Sequence, residues 1–192
     1  MEGYYLKRGI NRSPVDVLRH EAGHMVMAKL LGFDTKQLEY SPGRAGALIV
    51  LDLPLPDIPA LVSFIERRTM VLYAGSMAEA LKGDVTDIDG DKALGLLKEI
   101  EASDDSSKAR EILRILTSVT YSNGDFGDLL KANEERLWKR SGDIILKYGR
   151  NIVDLAKEWR SMLGGRDNLV VSKEQIEKIT EWSGLQKGSE QF

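Results

Sequence analysis

Apolar positions recur at helical spacing over most of this chain, with one short exception. From Pro59 to Gly83 they recur every three or four residues, and the same period returns in the second half of the chain. The runs Gln37–Tyr40 and Ala47–Leu51 are β-forming and are bounded by glycine and proline. The pattern predicts a mainly α fold of the α+β kind, with one small sheet or hairpin and one exposed edge.

The first predicted helix begins at a recognisable signal. Ser13, Pro14 and Asp16 supply a side-chain cap, a proline at the first helical position and an acid in the first turn. This helix should be mostly buried and should stop at Gly32. Later helices are expected at about 60–83, 91–101, 108–121, 125–147 and 151–163, and a capping box at Ser172 opens a last one near Trp182.

Length and charge limit the classes of protein. The 192 residues suit one domain, which we expect over 14–184, with tails at 1–13 and 185–192. The 27 basic and 30 acidic residues are interspersed, so a nucleic-acid partner is not expected. No apolar run is long enough for a membrane segment, and no signal peptide or phosphate-binding GxxxxGK[ST] loop is present. The expected location is cytoplasmic.

The chemistry concentrates in the stretch His-Glu-Ala-Gly-His, residues 20–24. Histidines four apart on a helix share one face and can close on one metal ion, so His20 and His24 are predicted ligands. Glu21 lies beside them and can act as the general base. The chain has only these two histidines, which argues against a chance match. Gly23 is expected to let another element approach this helix closely.

A catalytic zinc usually has a third protein ligand and one open position. Because the chain has no cysteine and no further histidine, that ligand must be a carboxylate. We expect one Zn²⁺ per chain. The residues alone leave the ligand open among Glu79 and the acidic turn Asp84, Asp87, Asp89 and Asp91.

His-Glu-Ala-Gly-His after a short helix start, then Pro-Gly-Arg, then Gly-x-x-Ala-Glu, then an Asp that opens a helix, resembles the peptidase domain of the FtsH family. These are membrane-bound, ATP-dependent zinc proteases, the M41 peptidases. The resemblance runs from about Val15 to Trp182. It implies a similar helical fold and a zinc metalloendopeptidase, a hydrolase that cuts unfolded or flexible polypeptides.

Two family segments imply roles for acidic residues. The Gly-Gly-Arg-x-Ala-Glu-Glu segment corresponds to Ala-Gly-Ser-Met-Ala-Glu-Ala, whose Glu79 becomes a candidate to orient a histidine ligand. The Thr-Gly-Ala-Ser-Asn-Asp segment ends in the third zinc ligand of the family. Registered on Thr86, it implies Asp91 as that ligand here, with Asp87 and Asp89 as the alternatives.

The Pro-Gly-Arg-Ala-Gly-Ala stretch from Pro42 resembles a family segment that leads into a strand at the cleft. An open strand edge can accept an extended peptide as a further strand. The resemblance therefore implies a substrate-docking role for the strand residues Ala47, Leu48, Ile49 and Val50. A plain structural hairpin is the alternative.

Family members also carry an ATPase that unfolds substrates, and this sequence contains none. We expect the chain either to act alone on flexible polypeptides or to use a separate unfoldase. The resemblance leaves a homo-oligomer open. Two other functions remain: a catalytically silent adaptor or assembly module, against which Glu21 argues, and a zinc amidase for a small substrate, which would need a closed pocket.

Overall fold

The computed structural model describes residues 12–42, 44–99 and 104–190. It is mainly helical with one three-stranded antiparallel sheet, which confirms the predicted fold class. The elements, in chain order, are α1 Pro14–Leu30, β1 Asp34–Ser41, β2 Arg44–Val50, α2 Ile58–Glu79, α3 Gly90–Glu99, α4 Asp104–Thr120, α5 Phe126–Lys147, α6 Gly149–Leu163, β3 Leu169–Ser172, α7 Lys173–Ile176 and α8 Thr180–Ser183.

Helix α1 begins as predicted. The Ser13 hydroxyl accepts a hydrogen bond from the Asp16 backbone amide at 3.2 Å, and Pro14 occupies the first helical position. The helix ends at Leu30, and Gly32, at a φ of +89°, turns the chain toward β1. Eleven of the 17 residues of α1 are buried, because the helix packs against α2, α6 and the sheet together.

Helices α1 and α2 cross at very short range. A Cβ atom added to Gly23 would lie closer than 3.0 Å to the Ala78 side chain and to the Ala74 carbonyl oxygen, both on α2. Such contacts are sterically prohibited, so this crossing requires a residue without a side chain. The predicted close approach at Gly23 is confirmed.

The sheet has the strand order β2-β1-β3, so β2 lies at one edge. Strands β1 and β2 form the predicted hairpin, with Leu38 opposite Ala47 and a bulge in β1 between Thr35 and Gln37. Strand β3 pairs with β1 on its other side, with Val171 opposite Leu38. Strand β3 was not predicted from the sequence, because four residues show too little alternation to identify a strand.

The two termini differ from expectation in different ways. Most of the predicted N-terminal tail lies outside the described residues. The segment predicted as a C-terminal tail, 185–192, packs against the domain over its described residues: the Leu185 side chain is buried, and the amides of Gly188 and Glu190 donate to carbonyls at the end of α1. No helix within the described ranges is both long enough and apolar enough to cross a membrane.

Candidate metal centre

The two histidines of α1 face the protein interior. His20 and His24 are each only 6% exposed, and their ring centroids are 4.7 Å apart. Their Nε2 atoms converge on one carboxylate: Oδ2 of Asp105 lies 3.5 Å from Nε2 of His20 and 3.0 Å from Nε2 of His24. The four-residue spacing therefore places both imidazoles on one face, as predicted.

Asp105 lies in the first turn of α4, and α4 packs against α2 on the side where the histidines emerge. His20, His24 and Asp105 each offer a ligand atom, and these atoms all lie within 4.8 Å of one another. Within the part of the chain that the structure describes, no other group of three such side chains could hold a metal ion.

Asp91 is not the carboxylate that the structure places beside the histidines. It lies in the first turn of α3, exposed to solvent. The alternative ligands in the acidic turn make local contacts instead: Asp87 pairs with Lys82, and Asp89 accepts a hydrogen bond from the Lys92 amide at 2.9 Å. Asp89 therefore caps α3, and Asp87 stabilises the turn through Lys82 and the Ile88 amide.

One signal in the sequence could have indicated Asp105. The family segment that carries the third ligand ends in Ser-Asn-Asp, and residues 103–105 read Ser-Asp-Asp. Registering the segment on Thr86 kept its first and last residues but lost this ending. His24 and Asp105 are 81 positions apart in the sequence, and local periodicity gives no information about which of the two registers is correct over such a distance.

Glu79, at the end of α2, lies behind His20. Its Oε2 atom is 3.3 Å from Nδ1 of His20, and the Arg12 guanidinium donates to its Oε1 atom at 3.0 Å. When Nδ1 carries the proton, His20 donates to Glu79 and leaves Nε2 available to a metal ion. Arg12 also lies 3.1 Å from Nδ1 and could donate to it only in the opposite tautomer. Glu79 thus favours the tautomer that binds metal.

The charges around His20 make this a site for a cation. Burial by itself would lower the pKa of His20, but the Asp105, Glu79 and Glu21 carboxylates outweigh it and raise that pKa to about 9. Burial has the opposite effect on a carboxylate and by itself would raise the pKa of Asp105, but the two histidines hold that pKa well below its usual range. The carboxylates around the two imidazoles therefore favour positive charge at this place.

Gly75 of α2 leaves space beside the ring nitrogens. A Cβ atom at this position would lie closer than 3.0 Å to Nε2 of His20 and to Nε2 of His24. Those are the atoms that face Asp105, so a side chain at Gly75 would occupy the place where a metal ion shared by the two rings must lie. The donor set and the missing side chain together fit a bound metal ion.

Glu21 lies on the same turn as His20 and is 8% exposed. Its Oε2 atom accepts a hydrogen bond from the backbone amide of Ala47 at 2.8 Å, so the edge strand β2 runs directly beside this carboxylate. The predicted general base and the predicted docking strand are therefore in contact.

Replacing Glu79 by glutamine is expected to lower zinc affinity about 10–100-fold, the usual cost of losing an outer partner of a histidine ligand. The amide keeps the shape but removes the charge that favours the Nδ1–H tautomer. Calorimetric titration of the metal-free protein with zinc measures the change. Glu66→Gln is the matched control, since Glu66 is on the same helix and pairs with another arginine, Arg136. Equal losses in both variants would contradict the role of Glu79.

No protein-family model matches this chain and no curated protein matches it, so the candidate centre depends on its own geometry and on the motifs of the sequence.

Proposed function

We propose that this protein is a zinc-dependent metallopeptidase, with His20, His24 and Asp105 as metal ligands and Glu21 as general base. One observation carries the proposal. The imidazoles of His20 and His24 and the distant carboxylate of Asp105 offer ligand atoms within 4.8 Å of one another. Glu21, next to the first imidazole, contacts the edge strand β2.

The donor set suits zinc. Two imidazoles and one carboxylate are the ligands of many catalytic zinc ions, which keep a fourth position open for water or substrate. Asp105 remains 29% exposed at its side chain, so solvent reaches the centre from the α4 side. Zinc bound here would supply Lewis acidity, which lowers the pKa of water and polarises a carbonyl.

Glu21 supplies the proton transfers of the proposed reaction. As the attacking water forms its bond to the carbonyl carbon, Glu21 takes a proton from that water. When the carbon–nitrogen bond breaks, Glu21 returns the proton to the leaving amine, so the products are one carboxylic acid and one amine. The Ala47 amide holds one oxygen of this carboxylate, and the other remains for the proton.

The setting of Glu21 favours a polypeptide substrate over a small amide. Within the described residues no strand pairs with β2 on the side away from β1, so this edge can offer backbone donors and acceptors to an extended chain. The motifs shared with FtsH-family peptidases support the same substrate class. A separate ATPase would then unfold structured substrates before they reach this site.

Replacing Glu21 by glutamine tests the proposal. We expect the zinc-loaded variant to cleave an unfolded protein, β-casein, about 10²–10⁴-fold more slowly than wild type, the usual contribution of a general base. Zinc content should stay near one ion per chain, because Glu21 is not a ligand. Glu158→Gln on the exposed surface of α6 is the control and should behave as wild type.

Two results would contradict the peptidase proposal. Full activity in Glu21→Gln would remove the general base from the mechanism. A wild type that binds zinc but cuts no polypeptide would favour the adaptor or assembly module instead. Cleavage of small amides alone, with β-casein intact, would favour the zinc amidase.

A further inference from the structure

Arg12 comes directly before the cap of α1, and its side chain reaches the back of the candidate metal centre. Pro14 disfavours a helical conformation at Ser13, which is extended, with a φ of −65° and a ψ of 151°. The chain therefore enters α1 from an extended conformation, and the Arg12 guanidinium lies against Glu79 at the end of α2. Only 3% of the Glu79 side chain and 24% of the Arg12 side chain are exposed. Two residues 67 positions apart thus form a mostly buried ion pair.

The guanidinium holds both oxygens of the Glu79 carboxylate. Nε of Arg12 donates to Oε1 at 3.0 Å, and Nη2 donates to Oε2. Two parallel bonds of this kind fix the plane of a carboxylate, which a single point charge cannot do. Oε2 is also the oxygen that lies 3.3 Å from Nδ1 of His20. The pairing with Arg12 therefore determines the direction in which Glu79 presents its acceptor to the imidazole.

The distance of 3.1 Å between Nη2 of Arg12 and Nδ1 of His20 follows from this shared acceptor. Two N–H groups that donate to one oxygen must lie close to each other. A direct bond from Arg12 to Nδ1 would require Nδ1 to be unprotonated, and His20 could then not donate to Glu79. Oε2 would lose one of its two donors, which is costly for a buried carboxylate. The arrangement with both donors on Oε2 is therefore favoured.

His24 has an outer partner of a different kind. Its Nδ1 atom lies 2.7 Å from the backbone carbonyl oxygen of Val71, in the middle of α2. A carbonyl within a helix is held in place by the helix itself. A glutamate side chain has several rotatable bonds, so the acceptor of His20 has to be held by another group. Of the two imidazoles, only that of His20 therefore depends on Arg12.

We propose that Arg12 is a positioning residue of the metal centre: it fixes the Glu79 carboxylate so that His20 keeps its proton on Nδ1 and presents Nε2 to the metal ion. This inference rests on the proposed function and deepens it, because it assigns part of the metal affinity to a residue outside the helices that carry the ligands. Arg12 acts through Glu79 and is not itself a ligand. Without the guanidinium, the carboxylate is free to rotate, and the hydrogen bond to one histidine weakens.

The side-chain N–H protons of the two histidines test this contact in the metal-free protein, purified without a histidine tag. The chain has no other histidine, so ¹⁵N-labelled histidine should give one Nδ1–H signal from each ring. In Arg12→Ala, the Nδ1 proton of His20 should exchange with water at least about tenfold faster than in wild type, because its acceptor is no longer held. The Nδ1 proton of His24 should keep its rate, since the Val71 carbonyl is its acceptor. A general loss of structure would speed up both protons. Arg12→Lys, which keeps the charge and should show a smaller change at His20 alone, then carries the test.

Zinc affinities show whether Arg12 acts through Glu79. Arg12→Ala should bind zinc about tenfold more weakly than wild type, at the lower end of the cost of losing an outer partner. Arg12→Lys should recover only part of that loss, because an ammonium group cannot hold both oxygens. When Glu79 is already glutamine, Arg12→Ala should add no more than about a twofold loss, because the group that it orients is gone. Arg136→Ala is the matched control, since Arg136 pairs with Glu66 on the same helix, and should bind zinc as wild type does.

Three results would contradict the role of Arg12. Two of them are an unchanged exchange rate of the His20 proton in Arg12→Ala and a wild-type zinc affinity in that variant. The third is a fully additive loss in the double variant, because Arg12 would then act on His20 directly and not through Glu79. Failure of the proposed function looks different. A wild type that binds no zinc ends both proposals, whereas a wild type that binds zinc but cuts no polypeptide contradicts the peptidase alone, and the losses described above would still support the role of Arg12.

Discussion

Replacing Asp105 by alanine should reduce zinc affinity more than 100-fold and abolish peptide cleavage. Losing an outer partner of a ligand costs about 10–100-fold, and losing a ligand itself should cost more. Only the two imidazoles would remain as ligands. Among the described residues, no other carboxylate lies close enough to both rings to share a metal ion with them. Zinc titration by calorimetry and metal analysis of the purified protein measure the effect.

Asp91→Ala is the informative control for this experiment. This variant lacks the exposed carboxylate in the first turn of α3, and the family segment had implied that carboxylate as the third ligand. Zinc content and activity should match wild type. If Asp91→Ala loses the metal and Asp105→Ala keeps it, the centre is assembled differently from the arrangement on α1 and α4.

Replacing Gly75 by alanine should abolish zinc binding with the histidines and Asp105 all in place. The methyl group would lie against Nε2 of both His20 and His24. The rings must then move away from each other or from the ion, and either movement breaks the shared coordination. Zinc titration measures the loss. Overpacking should also lower the free energy of unfolding by about 1–3 kcal/mol.

The matched control for Gly75→Ala is Gly95→Ala in α3. A Cβ atom at Gly95 has no neighbour within 4 Å. Alanine is favoured over glycine in a helix by up to about 1 kcal/mol, so this variant should be equally or more stable and should bind zinc normally. If Gly75→Ala kept wild-type zinc affinity, the metal would have to lie elsewhere than between the two ring nitrogens.

The helical architecture followed from local signals. The cap at Ser13, the proline at Pro14 and the apolar period of the later helices placed most elements within a few residues of where they lie. Helix α4 begins at Asp104 instead of near residue 108. That difference matters for the centre, since it puts Asp105 in a helical first turn and not in a loop. Strand β3 was missed because its pairing with β1 is a long-range contact.

The sequence by itself determined the part of the centre that one helix can build. Two histidines at a spacing of four, with a glutamate after the first, share a helix face whatever surrounds them. The absence of cysteine and of a third histidine left only a carboxylate as a third ligand for any metal ion bound there. These conclusions depend only on composition and on the geometry of a single turn.

Only the tertiary structure decided which carboxylate that is and what lies around it. The packing of α4 against α2 brings Asp105 to His24 across 81 positions of sequence, while Asp91, nearer in the chain, faces solvent. The contacts of Glu21 with Ala47 and of Glu79 with His20 likewise join residues 26 and 59 positions apart. Such pairings depend on how whole elements bury their apolar faces together, and local periodicity holds no information about that choice.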